Sequence, residues 1–187
     1  MKNFIIFLIF LLFTFSSLES REIKGIDMPD ALKSGNENLV LNGAGVIKKL
    51  LFKVYIIGLY VQQKTSDENE LLNQDKSYII RLHFVRNGVT SDKIIDAWNT
   101  GFSKATGAKT DNIKNEIKQF NSWFDKDEVN ENDIFQFDYK SGTGVRVYIN
   151  GKLKGTIGGF AFRKALLGIW LGSNPRDEGV KEDLLGK

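Results

Sequence analysis

Apolar residues recur along the chain in two patterns, one typical of strands and one typical of helices. Short runs rich in Val, Ile, Leu, Tyr and Phe, bounded by polar residues and glycines, predict six strands: Leu39–Ile47, Leu50–Val61, Ser77–Arg86, Asp133–Tyr139, Gly144–Ile149 and Lys152–Ile157. Apolar residues at helical spacing predict five helices: Glu68–Asn73, one capped by Thr90 or Ser91 and ended by Gly107, one from Thr110, Phe160–Leu171, and a short one that ends at Leu185.

The order of these elements predicts an α+β domain, with an antiparallel sheet and helices on one of its faces. Asn150-Gly151 predicts a tight type I′ hairpin between the last two strands. Asn42, Gly43 and Gly45 interrupt the first strand and indicate a bulge or a close backbone approach. The polar residues 21–37 are expected to be a leading segment that is partly strand.

The first twenty residues have the layout of a secretory signal peptide. Lys2 precedes the apolar run Phe4–Phe15, and serines and Arg21 follow it. We expect cleavage after Ser20, with Ser17 as the second choice, so that residues 1–20 are removed and residues 21–187 form one domain. The chain is thereby expected to be periplasmic or secreted, without a stable membrane anchor. An uncleaved anchor is the alternative, although a spanning helix needs about 20 apolar residues.

Composition narrows the class of partner. The chain is 42% hydrophobic and 26% charged, as in ordinary globular domains, and it contains no cysteine, so disulfides and a lipoprotein anchor are excluded. Its formal net charge of +3 is unchanged by removal of the signal, which takes one lysine and one glutamate. The basic residues are scattered, and this argues against nucleic acid as a partner.

The sequence holds little of the chemistry that hydrolases and metalloenzymes need. Its single histidine, His83, lies within a predicted strand, where a general base and an ordinary strand residue are both open interpretations. Neither a G-x-S-x-G elbow nor an H-E-x-x-H motif occurs. Gly-Ala-Gly at 43–45 leads into Val46 and not into a helix, which argues against a phosphate-binding loop. We therefore expect no metal and no cofactor.

Three segments resemble the chalcone-isomerase-like family, and its exported bacterial branch most closely. They are Leu41–Val61 (LNGAGVIKKLLFKVYIIGLYV), Val85–Phe102 (VRNGVTSDKIIDAWNTGF) and Phe137–Pro175 (FDYKSGTGVRVYINGKLKGTIGGFAFRKALLGIWLGSNP). The resemblance implies an open-faced β-sandwich, in which a helical layer covers a large antiparallel sheet. It also implies a ligand cleft between the sheet and the helices.

The resemblance places the site residues of the family on four positions of this chain. In the plant enzymes, which cyclise chalcones to flavanones, an arginine and a threonine bind the substrate, and a tyrosine and an asparagine assist. The arginine position is Ile47 here, with Lys48 beside it, and the threonine position is Tyr55, as in the fatty-acid-binding branch. The tyrosine falls near Thr90 and the asparagine near Ala97.

These departures remove the arginine that would activate a substrate or hold a carboxylate. Arg81, Lys53 or His83 can replace it only if their side chains enter the cleft. Lys48 is adjacent to the lost position, but neighbouring residues of a regular strand point to opposite faces.

Three functions follow from these features. The first is a non-catalytic binder of an apolar small molecule or a fatty acid, which keeps the cleft and Tyr55. The second is an isomerase or lyase that pairs Tyr55 or Tyr60 with His83. The third is a structural or interaction domain whose cleft is filled by side chains such as Ile47, and its protein partner is not identified by the sequence. The first requires a wide apolar cavity with a cation near Tyr55.

Overall fold

A computed structural model describes residues 20–23, 25–125 and 128–187. Its strands are β1 (Ser20–Ile23), β2 (Ile26–Pro29), β3 (Ala31–Ser34), β4 (Glu37–Lys49), β5 (Phe52–Val61), β6 (Tyr78–Phe84), β7 (Ile134–Lys140), β8 (Gly144–Ile149) and β9 (Lys152–Ile157). Its α-helices are α1 (Glu68–Asn73), α2 (Ser91–Thr106), α3 (Lys114–Ser122), α4 (Phe160–Leu171) and α5 (Glu178–Leu184). A 3₁₀ turn, Asp111–Ile113, leads into α3.

Strands β3 to β9 form a single curled sheet in which every strand pairs with its neighbours in the sequence. All six pairings are antiparallel. Strands β1 and β2 form a separate two-stranded hairpin. Helices pack against the large sheet, so the α+β class and the sheet-and-helix architecture predicted from the sequence are confirmed.

The helix-covered face of the sheet carries the main hydrophobic core. Alternate residues of β6, Ile80, Leu82 and Phe84, point into this core, as the period of two in a strand requires. Helices α2, α3 and α4 contribute an aromatic group above them: Trp98, Phe102, Phe120, Phe162 and Trp170. Trp98 meets the rings of Phe120 and Trp170 edge to face, at centroid distances of 5.5 and 6.1 Å.

The opposite face carries a smaller core beneath the β1–β2 hairpin. Met28 of β2 packs there against Leu39, Leu41, Ile56, Tyr60 and Ile79. Gly58 makes room for it, because a Cβ at that position would lie 2.5 Å from the Met28 Cε. The leading segment therefore covers part of this face.

The interruption predicted in the first strand of the sheet is confirmed. The pairing of β4 with β5 shifts by one residue between Leu41 and Gly43, which makes Asn42 the extra residue of a bulge. A Cβ at Gly43 would lie 2.1 Å from the Asp183 carbonyl oxygen, so glycine lets α5 rest directly on the strand. Asn42 Nδ2 donates to the Leu184 carbonyl oxygen at 2.7 Å and holds that helix in place.

One strand boundary differs from the prediction. The sequence predicts a strand from Leu50, but Leu50 and Leu51 form the turn between β4 and β5, and Leu50 has φ 54°. Strongly apolar residues predict a buried strand, because turn residues are usually polar or glycine. The apolar composition of residues 50 and 51 therefore gives no indication that they form an exposed turn.

The predicted signal peptide falls on residues 1–20, and residues 1–19 lie outside the described part of the chain. Within residues 20–23, 25–125 and 128–187, none of the helices combines the length and the hydropathy needed to cross a membrane.

Candidate functional site

A cleft opens at one end of the helix-covered face, between the sheet and the first half of α2. Its volume is about 680 Å³, within the range of about 300 to 1,000 Å³ that small-molecule pockets occupy. It is lined by the end of β4, the start of β5, the end of β6, the loop 86–89, and residues 93–100 of α2.

The inner walls of the cleft are apolar. They are formed by Val54, Phe84, Val89, Ile94 and Trp98. The ring of Phe84 lies 5.3 Å from that of Tyr55. Val89 is held by a pair of backbone hydrogen bonds with Val129, of 3.0 and 2.8 Å, which fix the loop beside the cleft. A non-polar chain entering here would therefore meet aromatic and aliphatic surface.

Tyr55 is the polar group at the inner end of the cleft. The indole N–H of Trp170 donates to its hydroxyl oxygen at 3.3 Å. Burial raises the pKa of Tyr55 above its ordinary value, and this outweighs the opposing effect of the nearby Arg176. The phenol is therefore neutral near pH 7, and its own O–H is available to donate to a ligand.

Arg176 is the cation nearest to this tyrosine. Its guanidinium carbon lies 6.0 Å from the centroid of the Tyr55 ring, and its side chain lines the cleft. The loop between α4 and α5 is folded back to bring it there, since the Arg176 backbone N–H donates to the Ile169 carbonyl oxygen at 2.8 Å. The cleft thus combines an arginine and a tyrosine with apolar walls.

Positive charge predominates around the cleft. Five of its lining residues are basic, namely Lys48, Lys49, Arg86, Lys93 and Arg176, and one, Asp96, is acidic. The ion pairs found among the described residues, Lys76–Glu70, Arg146–Asp138 and Lys181–Glu68, lie elsewhere. The charge balance therefore favours an anionic ligand.

The two residues of β4 singled out by the sequence have different positions. Ile47 faces the helical layer opposite Tyr55, but it is only 1% exposed and packs in the core beneath the cleft. A second bulge, with Val54 as the extra residue, shifts the pairing after Ile47. Lys48 lines the outer edge of the cleft. Lys48 is exposed, and it is found among the lining residues even though strand alternation predicts that its side chain points to the opposite face.

The two positions predicted on α2 are also separated. Ala97 lines the cleft, where its small side chain contributes to the open space. Thr90 is the half-buried N-cap residue of α2, its side chain makes no capping hydrogen bond, and it is not among the lining residues.

Arg81 and His83 lie on the opposite face of the sheet, so the idea that they enter the cleft is wrong. They alternate with Ile80, Leu82 and Phe84, which point to the helices. Arg81 lies in a separate groove with Asp138 and Arg146, and His83 Nε2 is 3.3 Å from Asn132 Oδ1. Lys53 is exposed, and it too is not among the residues that line the cleft.

The acid–base pairs considered for an isomerase are not brought together. Tyr60 packs with the smaller core on the same face as His83, away from Tyr55. Tyr60 pairs with Ile79 and His83 pairs with Ile56, so four residues of strand separate the two along the sheet. Neither tyrosine converges with the histidine.

Arg176 is a residue of the cleft that no sequence pattern indicates. It follows the Gly-Ser-Asn-Pro segment after the last predicted long helix, a polar stretch with the composition of an exposed loop. Its position depends on the backbone hydrogen bond to the end of α4, a tertiary contact that local composition does not encode.

The described residues contain no cluster of three or more His, Cys, Asp or Glu side chains suited to a metal ion.

Comparison with known proteins gives a family and a fold. A family model described as chalcone isomerase-like matches residues 20–186. The solved structure of a fatty-acid binding protein of Arabidopsis thaliana superposes with a TM-score of 0.71 at 20% sequence identity, covering 89% of this chain and 96% of that one. No curated protein matches the chain by sequence.

Proposed function

The chain belongs to the chalcone isomerase-like family, and from that premise we propose that it binds an apolar small molecule with an anionic head, such as a fatty acid, without transforming it. The observation that carries this proposal is the pair of Tyr55 and Arg176 at the end of an apolar cleft. The Arabidopsis protein of similar structure is a fatty-acid binding protein, and this supports the same class of ligand.

The pair suits a carboxylate. An arginine presents two parallel N–H donors to the two oxygens of a carboxylate, and charge-assisted bonds of this kind are stronger than neutral ones. The O–H of Tyr55 would supply a further donor, since its oxygen already accepts from Trp170. The hydrocarbon chain would lie against Phe84, Ile94 and Trp98, which line the same cleft.

Two features argue against catalysis. The arginine and asparagine positions of the plant enzymes are occupied by Ile47 and Ala97, which have no proton or charge to offer. Tyr55 stands at the threonine position, and burial raises its pKa, which makes it a poor base near neutral pH. Among the described residues, the cleft offers Tyr55 and Arg176 as donors to an anion, and His83, the base considered for Tyr55, lies on the other face of the sheet.

The alternative function, a structural or interaction domain whose cleft is filled by side chains, is supported by one residue only, Ile47. Its side chain packs as a core residue, as that alternative requires. The space beside it remains open, with a volume of about 680 Å³ and a cationic edge. A ligand-binding role accounts for both features.

We further propose that the protein acts in the bacterial envelope or outside the cell, after removal of residues 1–20. The support is the charged start, apolar run and small residues of that segment. The intact mass of protein from the periplasmic and external fractions tests this. The expected result is a mass that corresponds to cleavage after Ser20 or Ser17, and a full-length mass in the cell membrane would contradict it.

Native mass spectrometry of that protein, followed by denaturing extraction, tests the binding proposal. We expect a stoichiometric apolar acid to be released, and we expect added fatty acids to raise the melting temperature of the delipidated protein. The proposal would be contradicted if no acid were released and if fatty acids left the melting temperature unchanged.

The Arg176→Gln variant locates the site. It should weaken fatty-acid binding roughly 10- to 100-fold, because it removes a charged hydrogen-bonding partner. The matched control is Arg81→Gln, which removes the same group from the opposite face and should leave the affinity unchanged. Equal effects of the two substitutions would mean that only the overall charge matters.

A further inference from the structure

The hairpin between β4 and β5 exposes three consecutive large apolar side chains. Leu50 is 89% exposed, Leu51 93% and Phe52 58%. We refer to these three residues as the apolar tip. They are three of the five large apolar side chains that the described part of the chain exposes; the other two, Leu153 and Phe160, stand singly. Single exposed apolar residues are ordinary, whereas a contiguous group marks an interaction surface.

Basic residues surround the apolar tip. Lys48 and Lys49 precede it, Lys53 follows it, and the guanidinium carbon of Arg86 lies 4.6 Å from the centroid of the Phe52 ring. None of these four residues forms one of the ion pairs of the described chain. This arrangement is complementary to an anionic lipid surface. The apolar side chains at the end of the hairpin can enter the acyl-chain region, and the anionic head groups attract the surrounding cations.

A second hairpin shows that this tip is not a requirement of the fold. Strands β8 and β9 turn at the same end of the sheet, because Tyr55 pairs with Phe84 and Phe135 with Ile149. That turn uses Asn150 and Gly151, with φ of 50° and 75°, as hairpin geometry favours. At the apolar tip, Leu50 adopts φ 54°, which side chains of its type rarely do. Leucine is therefore present there for a reason other than the turn.

The apolar tip is also part of the entrance to the cleft. Lys48, Lys49, Leu50, Phe52 and Arg86 all line it. We propose that the apolar tip inserts into the anionic surface of a lipid bilayer and so places the entrance of the cleft against the membrane. An apolar ligand would then pass between bilayer and cleft without crossing water. The docking step goes beyond the proposed function and does not depend on which ligand is carried.

A labelled chain provides a direct test, because the protein has no cysteine of its own. Leu51→Cys places a polarity-sensitive fluorophore on the apolar tip, and Thr143→Cys places one on the turn between β7 and β8, at the far end of the sheet. Both proteins are mixed, without added ligand, with vesicles of phosphatidylcholine alone or containing phosphatidylglycerol. Both variants have the same N-terminus, so any binding by that segment is common to them.

The expected result is a blue shift and brighter emission at position 51, only with phosphatidylglycerol, and weaker in high salt. Position 143 should not respond. No response at 51, or equal responses at both positions, would overturn the proposal. A response at 51 that grows with protein concentration in the absence of vesicles would also overturn it, because a second copy of the chain would then be the partner of the tip.

Substitutions then separate the two contributions to docking. Lys48→Gln with Lys49→Gln should weaken binding to the anionic vesicles roughly 25-fold, since each lysine near such a surface contributes a factor of about five. Leu50→Ser with Leu51→Ser should weaken it at least about tenfold. Phe160→Ser is the matched control, because it removes an exposed apolar side chain at the far end of the sheet, and it should leave vesicle binding unchanged. Unchanged vesicle binding by both double variants would contradict the proposal, even if Arg176→Gln abolishes fatty-acid binding.

Discussion

Helix α2 is closely packed along its second half and open along its first. In the second half, a Cβ at Gly101 would lie 3.0 Å from the Cγ2 of Ile169 in α4. A Cβ at Gly168 of α4 would lie 3.2 Å from that of Ala105. Small residues on both helices thus allow a close approach. In the first half, residues 93–100 face a cleft of about 680 Å³.

The difference shows that one half of α2 contributes mainly to packing and the other half borders the binding cleft. Where glycine and alanine let α4 approach, aromatic side chains fill the space between helices and sheet. Beyond that contact α4 ends, and the loop that follows supplies Arg176 to the cleft. We therefore expect substitutions of the small residues in the second half of α2 to change the free energy of unfolding, and substitutions of the small or exposed residues that line the cleft, such as Ala97, to change ligand binding.

The largest effect is expected at Phe102, in the packed half. The residue is fully buried, and its ring contacts those of Phe120 and Phe162 at 5.7 and 5.5 Å. Phe102→Ala should lower the free energy of unfolding by about 3 to 5 kcal/mol, from lost burial and the cavity left behind. Urea denaturation measures this. Lys93→Ala, on the exposed surface of the open half, should change it by less than about 0.5 kcal/mol.

A pair of leucine substitutions on α2 tests the division itself. Gly101→Leu should destabilise the protein by about 1 to 3 kcal/mol, because the new side chain meets Ile169 at once. Ala97→Leu, one turn earlier, points into the cleft and should leave stability within about 0.5 kcal/mol. The same variant should reduce the rise in melting temperature that fatty acids cause. A loss of stability as large for Ala97→Leu as for Gly101→Leu would show that the cleft is closed in solution.

A smaller and opposite effect is expected at the entrance of the cleft. Leu50 has φ 54°, a left-handed conformation that asparagine adopts more readily than leucine. Leu50→Asn should therefore raise the free energy of unfolding by about 0.5 to 1 kcal/mol, while it weakens binding to anionic vesicles. Thermal and urea unfolding measure the first effect. A destabilised variant would mean that the exposed leucine makes contacts within the folded chain.

Much of the fold was predictable, because its determinants are local. The period of two in β6, the glycines of β4 and the Asn150-Gly151 turn each reflect backbone and burial rules that act over a few residues. The turn at Leu50 was missed for the same reason: a local rule assigns apolar residues to strands, and this turn departs from the rule.

The site was predictable only in part, because it depends on contacts between distant segments. Tyr55 and the cleft beside it were both expected from the resemblance to the family. Arg176 reaches the cleft through a loop, and its own backbone N–H bonds back to the end of α4. Lys48 lies at the edge of the cleft beside a bulge at Val54, and no sequence signal marked that bulge. Arg81 and His83 were considered for their chemistry, although their places in β6 assigned them to the opposite face.

The smallest effect concerns pH and tests whether Tyr55 binds as a neutral donor. Burial raises its pKa above the ordinary value of about 10, so the phenol stays protonated throughout the neutral range. The carboxyl group of a fatty acid has a pKa near that of side-chain carboxyls, about 4 to 5. It is therefore ionised throughout the neutral range. We expect the affinity for a fatty acid to be constant between about pH 6 and pH 9 and to fall in acid, where the ligand loses its charge.

Tyr55→Phe should lower the affinity by the same factor at each pH within that interval, which titration calorimetry measures. An affinity of the native protein that declines between pH 7 and pH 9, and no longer does so in Tyr55→Phe, would show instead that the phenol ionises in the cleft. The open half of α2 would then border a site capable of proton transfer, and the case for binding without catalysis would fail.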